Sequence, residues 1–322
     1  MEAKRLQYVD ICRGFAILSI LFAHTVGYSG ELIKIRTFDV CLLVFLSGYV
    51  SSVRTSFWNY LKKRTLRLMV PVWFFLTIYF SFSFILNLTS IIDYQVTLGN
   101  VLGSFSLING IGYVWVIRVF LIVSLIGYFI HRFFDKERFK SLIIFSIFLV
   151  CTFFLASNSD NRLITWFILE PFPYIIPFVI GLSFNKYHLG TTIDNIIIIT
   201  SVLVSIFIYY FYSDFLIKYP PSLLYISYGC TMSVFIFLIL RNHITKIFNL
   251  SYISFFGTGS MSIYLWHIPM AKYFEKSYVE FNVIWQWLFM LISGVVLSSV
   301  IIIVAGHIDR KFGFSFKHWL EG

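Results

Sequence analysis

Charge is what this chain has least of. Only 12% of its 322 residues are Asp, Glu, Lys or Arg, about half the share in soluble globular domains. Acids are scarcest, 15 against 25 basic residues. With 59% of residues hydrophobic, no water-soluble fold hides the apolar surface, and no polar stretch is long enough for a second, soluble domain. Cysteine is sparse too: Cys12, Cys41, Cys151 and Cys230 lie in or beside apolar runs without paired spacing. That excludes a disulfide framework and a cysteine metal site. Walker loops, dinucleotide glycine fingerprints, G-x-S-x-G elbows and His/Glu pairs at i, i+4 are all missing. A net charge of +10 therefore does not indicate nucleic acid; its distribution along the chain matters more than its total.

Long apolar runs are what is there. A membrane span needs about 20 mostly apolar residues. Ten candidates fall near 11–30, 37–53, 68–90, 111–130, 141–157, 164–184, 195–212, 222–240, 256–274 and 283–305. The segment 93–112 is too polar and glycine-rich to span. Lys4 and Arg5 before the first run imitate a secretory signal, but Arg13 and His24 interrupt it and no Ala-x-Ala-like site follows, so a retained first helix is expected. Alternate connections differ sharply in basic charge. One side receives Lys4, Arg5, Arg54, Lys62, Lys63, Arg64, Arg67, Arg132, Lys136, Arg138, Lys140, Lys186, Arg241, Lys246, Arg310, Lys311 and Lys317. The other receives only Lys34, Arg36, Arg162, Lys218, Lys272 and Lys276. The positive-inside rule then predicts an all-α, multi-pass membrane protein of about ten transmembrane helices with both termini cytoplasmic.

Against this background, polar residues inside the runs stand out. Arg13 and His24 sit eleven residues apart in the first run, on one helical face and about 16 Å apart along the axis. Ionisable groups at membrane depth are costly and face a partner or a cavity. Arginine also snorkels to the surface, whereas a histidine past the midpoint is suited to take a proton near neutral pH. Arg64 and Arg67 share a face if the third helix begins before them, and a guanidinium fork at the edge of the apolar run suits phosphate oxygens. Trp115 and Arg118 are neighbours on the fourth span, where an interfacial anchor explains them nearly as well. Glu170 needs a partner inside the sixth span, for which Arg118 and His24 are candidates. Tyr264 and His267 share a face of the ninth, as a structural hydrogen bond or as a substrate contact. Asp39 is another possible partner. No metal site is expected.

Taken in order, these segments resemble the acyltransferase-3 family, multi-pass membrane enzymes that O-acylate extracytoplasmic glycans. The matches are Arg-Gly-Phe-Ala-Ile at 13–17 with the R-x10-H spacing to His24, Phe-Leu-Ser-Gly-Tyr at 45–49, and Arg64-x-x-Arg67 with Pro71 following. Tyr113 to Arg118 and Ser262-Ile-Tyr-Leu-Trp-His267 complete the set. The resemblance implies a transmembrane acyltransferase domain in a bacterial cytoplasmic membrane and among its lipids; in contrast to relatives that append an extracytoplasmic hydrolase-like domain, a single domain over 1–322 with no appended soluble domain is expected. It implies acetyl-CoA as a cytoplasmic donor substrate, no bound cofactor, and a surface polysaccharide or lipid-linked sugar as acceptor. It casts His24 as the base, with Arg13, Arg64 and Arg67 holding donor phosphates or positioning the acyl group. Trp115, Arg118, Glu170, Tyr264 and His267 would serve the acceptor or support the site. The rival from another class is a transporter or flippase whose buried charges line a path; no two-fold internal repeat is evident to favour it.

Overall fold

The computed structural model describes residues 6–25, 31–51, 55–88, 97–108, 110–134, 161–186, 190–212, 218, 220–244, 249–276 and 281–312. Among them the architecture is all-helical, with one isolated bridge between Lys218 and Pro221. That is what the apolar runs dictate, because in lipid a helix alone satisfies its backbone within one segment. The main helices are α1 (Gln7–Ala23), α2 (Asp39–Tyr49), α3 (Phe57–Leu88), α4 (Leu98–Phe105), α5 (Trp115–Phe134) and α6 (Ile175–Lys186). They continue with α7 (Thr191–Phe211), α8 (Leu223–Ile239), α9 (Ser251–Thr258), α10 (Ser260–Trp266), α11 (Ile268–Lys276) and α12 (Val283–Phe312). Polar caps set several starts: Thr97 accepts from the Asn100 N–H at α4, and Ser222 from the Tyr225 N–H at α8. Pro220-Pro-Ser222 thus leads directly into α8.

Among the described residues, six helices are long and apolar enough to cross a membrane: Phe57–Ile85, Trp115–Arg132, Arg162–Asn185, Thr191–Phe211, Leu223–His243 and Val283–His307. They correspond to the expected third, fourth, sixth, seventh, eighth and tenth spans. The fifth, 141–157, lies outside the described residues. The first is a 17-residue helix and the second an 11-residue one, preceded by the tight 3-10 turn Arg36–Phe38. The ninth is divided into α9, α10 and α11. Pro269 causes the second of these breaks, since it has no N–H to give the preceding turn and its ring crowds that turn's carbonyl.

The chain forms two compact units. The first comprises described residues within 1–20, 29–60 and 122–258. Its core gathers Val9 and Cys12 of α1, Phe38, Leu42 and Phe45 at α2, and Phe237 of α8. Glycines set the helix approaches here. A Cβ on Gly48 would strike the Phe178 carbonyl of α6, and one on Gly181 would strike the Phe45 carbonyl of α2. Gly14 meets the Ile253 carbonyl and Gly257 the Asp10 carbonyl in the same reciprocal way, joining α1 to α9. Polar clasps add direction to this packing. Arg241 pairs with Asp194 at 2.6 Å, and the Ser205 and Thr231 hydroxyls lie 2.7 Å apart across α7 and α8.

The second unit comprises described residues within 21–28, 61–121 and 259–322. Here α12 packs on α10 through Gly294, whose added Cβ would lie 3.1 Å from the Ile263 carbonyl and 3.6 Å from the His267 Cβ. Trp266 stands edge-on to Phe75 of α3 at 5.1 Å, and the Trp73 indole donates to the Phe105 carbonyl at 3.2 Å. Exposed Ile292, Val296, Val300 and Ile303 form a stripe along α12, the apolar face a lipid-contacting helix presents.

Candidate active site

His24 occupies the turn that closes α1, its N–H donating to the Leu21 carbonyl at 3.1 Å. The next residue, Thr25, folds its hydroxyl onto the Phe22 carbonyl. The partly buried imidazole of His24 therefore projects from a helix end rather than from mid-helix. Tyr113 stands edge-on to it, with ring centroids 4.6 Å apart at 70°. The His267 ring also packs on it, 5.3 Å away and inclined by 26°.

His267 is fully buried at the α10–α11 break. Its Nδ1 bonds the Tyr264 backbone carbonyl, and its Nε2 is buried without a hydrogen-bond partner among the described residues. The Tyr264 hydroxyl donates to the Tyr113 carbonyl. The Tyr113 hydroxyl donates to the Glu275 carboxylate. Lys272 closes the group, 2.7 Å from Glu275 and 4.8 Å from the Tyr113 ring centroid. Two imidazoles, two phenols and one ion pair from four segments thus converge within one unit.

Tyr113 is held by its own loop. Gly110 and Gly112 adopt φ of +102° and +88°, the left-handed region where glycine is strain-free. Leu107 also sits there, at φ 60°, which is uncommon for a side-chain-bearing residue. Buried Arg118 braces this bend, donating from Nη1 to the Leu107 carbonyl at 2.7 Å and the Ile108 carbonyl at 3.3 Å. Ser104 contributes by accepting from the Ile111 N–H at 3.0 Å. Arg118 is thus a structural brace for the Tyr113 loop, a role its residue type alone did not reveal.

The other sequence candidates fall as follows. Arg64 and Arg67 lie on α3 of the same unit, inside a helix that begins at Phe57, one partly buried and the other exposed. They therefore share a face, as their spacing requires. Trp115 opens α5, partly buried. Arg13 and Glu170 belong to the first unit. Arg13 pairs with buried Asp10 at 3.4 Å. Partly buried Glu170 follows the π-helical turn Thr165–Leu169. Asp39, also in the first unit, is fully buried and paired with Arg36 at 2.7 Å and Lys218 at 3.7 Å. Tyr113 opens the quoted Tyr113 to Arg118 segment but was not named as a site residue, and neither were Lys272 and Glu275; 162 positions separate Tyr113 from Glu275. Among the described residues no group of three His, Cys, Asp or Glu is placed to hold a metal.

The sequence model of the acyltransferase-3 family, described as an acyltransferase domain, matches residues 6–303. The chain belongs to the acyltransferase-3 family. No curated protein and no solved structure gives a significant match. Family membership makes this all-helical chain a membrane acyltransferase, and the match runs through α1, α3, the Tyr113 loop and the α10–α11 break alike.

Proposed function

We propose that this acyltransferase moves an acetyl group from cytoplasmic acetyl-CoA to a hydroxyl of an extracytoplasmic or lipid-linked polysaccharide in the bacterial cytoplasmic membrane. The observation that carries the reading is the His24 imidazole, packed against both Tyr113 and His267 at 4.6 and 5.3 Å. His24 takes the proton of the acceptor hydroxyl as its oxygen attacks the thioester carbonyl carbon. The C–O bond forms, the C–S bond breaks, and the departing CoA thiolate takes the proton back from the imidazolium. Atoms and charge balance without a cofactor.

The donor end is cationic in this reading. Arg64 and Arg67, on one face of α3, suit the phosphates of CoA, with Arg13 supporting the same end. The basic loops orient that end to the cytoplasm, where acetyl-CoA is available. Tyr264, Trp115 and Glu170 stand as acceptor-side or supporting groups, with Glu275 and Lys272 joining them from the structure.

The test compares acetyl ester on surface glycan, by mass spectrometry, in cells carrying the wild-type chain, His24→Ala or no chain. Loss of ester in the last two supports the reading, and unchanged ester in His24→Ala at normal protein levels sinks it. Acetyl-CoA titration of the detergent-purified protein, weakened by Arg64→Ala, supports the donor assignment. No acetyl-CoA binding at all would favour transport over transfer.

A further inference from the structure

A backbone carbonyl oxygen only accepts hydrogen bonds. The Nδ1 of His267, bonded to the Tyr264 carbonyl, therefore carries the ring proton. In the neutral ring this leaves Nε2 as a bare lone pair. That nitrogen is buried and without a hydrogen-bond partner among the described residues, on a residue with 0% exposure. Buried acceptors are rarely left unsatisfied, because the protein forfeits their hydration without replacement. A structural histidine would have both nitrogens bonded. This one is anchored by one nitrogen, and the other has no bonded donor among the described residues.

The surroundings narrow that donor. The Tyr264 hydroxyl is committed to the Tyr113 carbonyl, and the Tyr113 hydroxyl to Glu275. Lys272 is engaged with the same carboxylate. The Tyr113 ring stands edge-on to His267 at 6.1 Å, and α12 presents Gly294 to its Cβ. His24 is the other imidazole of the cluster, and a neutral imidazole carries one N–H. Its centroid lies 5.3 Å from that of His267, a separation at which a modest ring rotation brings two nitrogens into hydrogen-bond range.

We propose that His267 is the positioning residue for His24, its Nε2 accepting the ring N–H of His24 during transfer. This rests on the reading of His24 as the base. The bond fixes which tautomer His24 adopts and turns its other nitrogen's lone pair to the acceptor hydroxyl. When that hydroxyl proton arrives, His24 becomes an imidazolium. The N–H to His267 then becomes charge-assisted, so it strengthens as the transition state forms. The CoA thiolate afterwards removes one proton from His24, and both rings end neutral. Tyr264 holds the relay in register through its carbonyl on His267 and its hydroxyl on the Tyr113 loop.

The experiment uses the full chain purified in detergent, with CoA thiol release from acetyl-CoA measured in the presence of glycan extracted from cells lacking the protein. His267→Gln keeps an acceptor near the Nε2 position; His267→Leu removes it at similar volume. We expect His267→Leu to lower kcat by about a hundredfold, the lower end for a proton-transfer group, with the acetyl-CoA KM within about twofold. His267→Gln should retain about tenfold more activity than His267→Leu, with the acid limb of its kcat–pH profile displaced. Equal loss in both variants, or wild-type kcat in His267→Leu, overturns the proposal. If neither variant folds, 15N-histidine spectra of the wild-type protein decide: an imidazole protonated at Nδ1 and bare at Nε2 is expected, and a protonated Nε2 on His267 overturns it. Full activity in His24→Ala would instead sink the transfer reading itself. An inactive His24→Ala beside a fully active His267→Leu would sink only the relay.

Discussion

Arg118 donates to the Leu107 carbonyl at 2.7 Å, eleven residues back along the chain, and so fixes the bend from which Tyr113 reaches His24. The guanidinium is 3% exposed, and its second acceptor is the adjacent Ile108 carbonyl. Arg118→Met removes both donations and leaves two carbonyls with one partner fewer. Loss of about 3 kcal/mol of stability is expected, read as a lower Tm in detergent. Backbone amides of 106–114 should exchange faster in the same variant. Arg118→Lys keeps a donor but not the fork, and should fall between the two. A variant with wild-type Tm and exchange but lost activity would move Arg118 from brace to substrate contact.

Gly48 and Gly181 make the second case, because each is blocked by the other helix's backbone rather than by a movable side chain. An added methyl on either meets a carbonyl, of Phe178 or Phe45, and backbone cannot rotate away as a side chain does. Gly48→Ala should cost about 3 kcal/mol, at the upper end for overpacking. Gly48→Ala/Gly181→Ala should cost less than the sum of the two, since one displacement of α2 from α6 accommodates both methyls. Gly99→Ala in α4, where nothing lies within 4 Å, is the control. It should raise stability by about 0.5 kcal/mol through helix propensity. Thermal unfolding of the two single variants, the double variant and the Gly99→Ala control in one detergent checks all of this.

Those glycines also show what the sequence makes legible. Gly14 and Gly48 belong to the segments that carry the family resemblance, yet no pattern in one chain says which helix each faces. The apolar runs were readable because lipid leaves the backbone no alternative to helix. His24 stood out in the sequence because an imidazole in such a run is costly, and the structure gathers it with Tyr113 and His267. Arg118 was conspicuous for the same reason, but its partners are backbone carbonyls, which leave no trace in residue type. Tyr113 and Glu275 were missed since one is a tyrosine among 20 and the other lies in what reads as a loop. The expected span at 37–53 yielded only the helix Asp39–Tyr49, because hydropathy marks burial without distinguishing lipid from protein as the cover.

Tyr113 offers the sharpest separation of shape from hydrogen bonding. Its ring packs on His24 at 4.6 Å and under Lys272 at 4.8 Å, while its hydroxyl engages Glu275. Tyr113→Phe keeps the ring contact and loses only the hydroxyl. If the ring is what holds the His24 imidazole, Tyr113→Phe should keep kcat within about threefold, whereas Tyr113→Leu should lose about tenfold, the equivalent of one edge-on aromatic contact. Glu275→Gln should then resemble Tyr113→Phe, since it weakens the same bond from the other end without touching His24. The acetyl-CoA KM should stay level throughout, as none of these groups is placed with the arginines of α3. CoA release and glycan ester formation measured side by side check the series. If Tyr113→Phe is as damaging as Tyr113→Leu, the hydroxyl and its Glu275 partner carry the effect, and the ring is only their support.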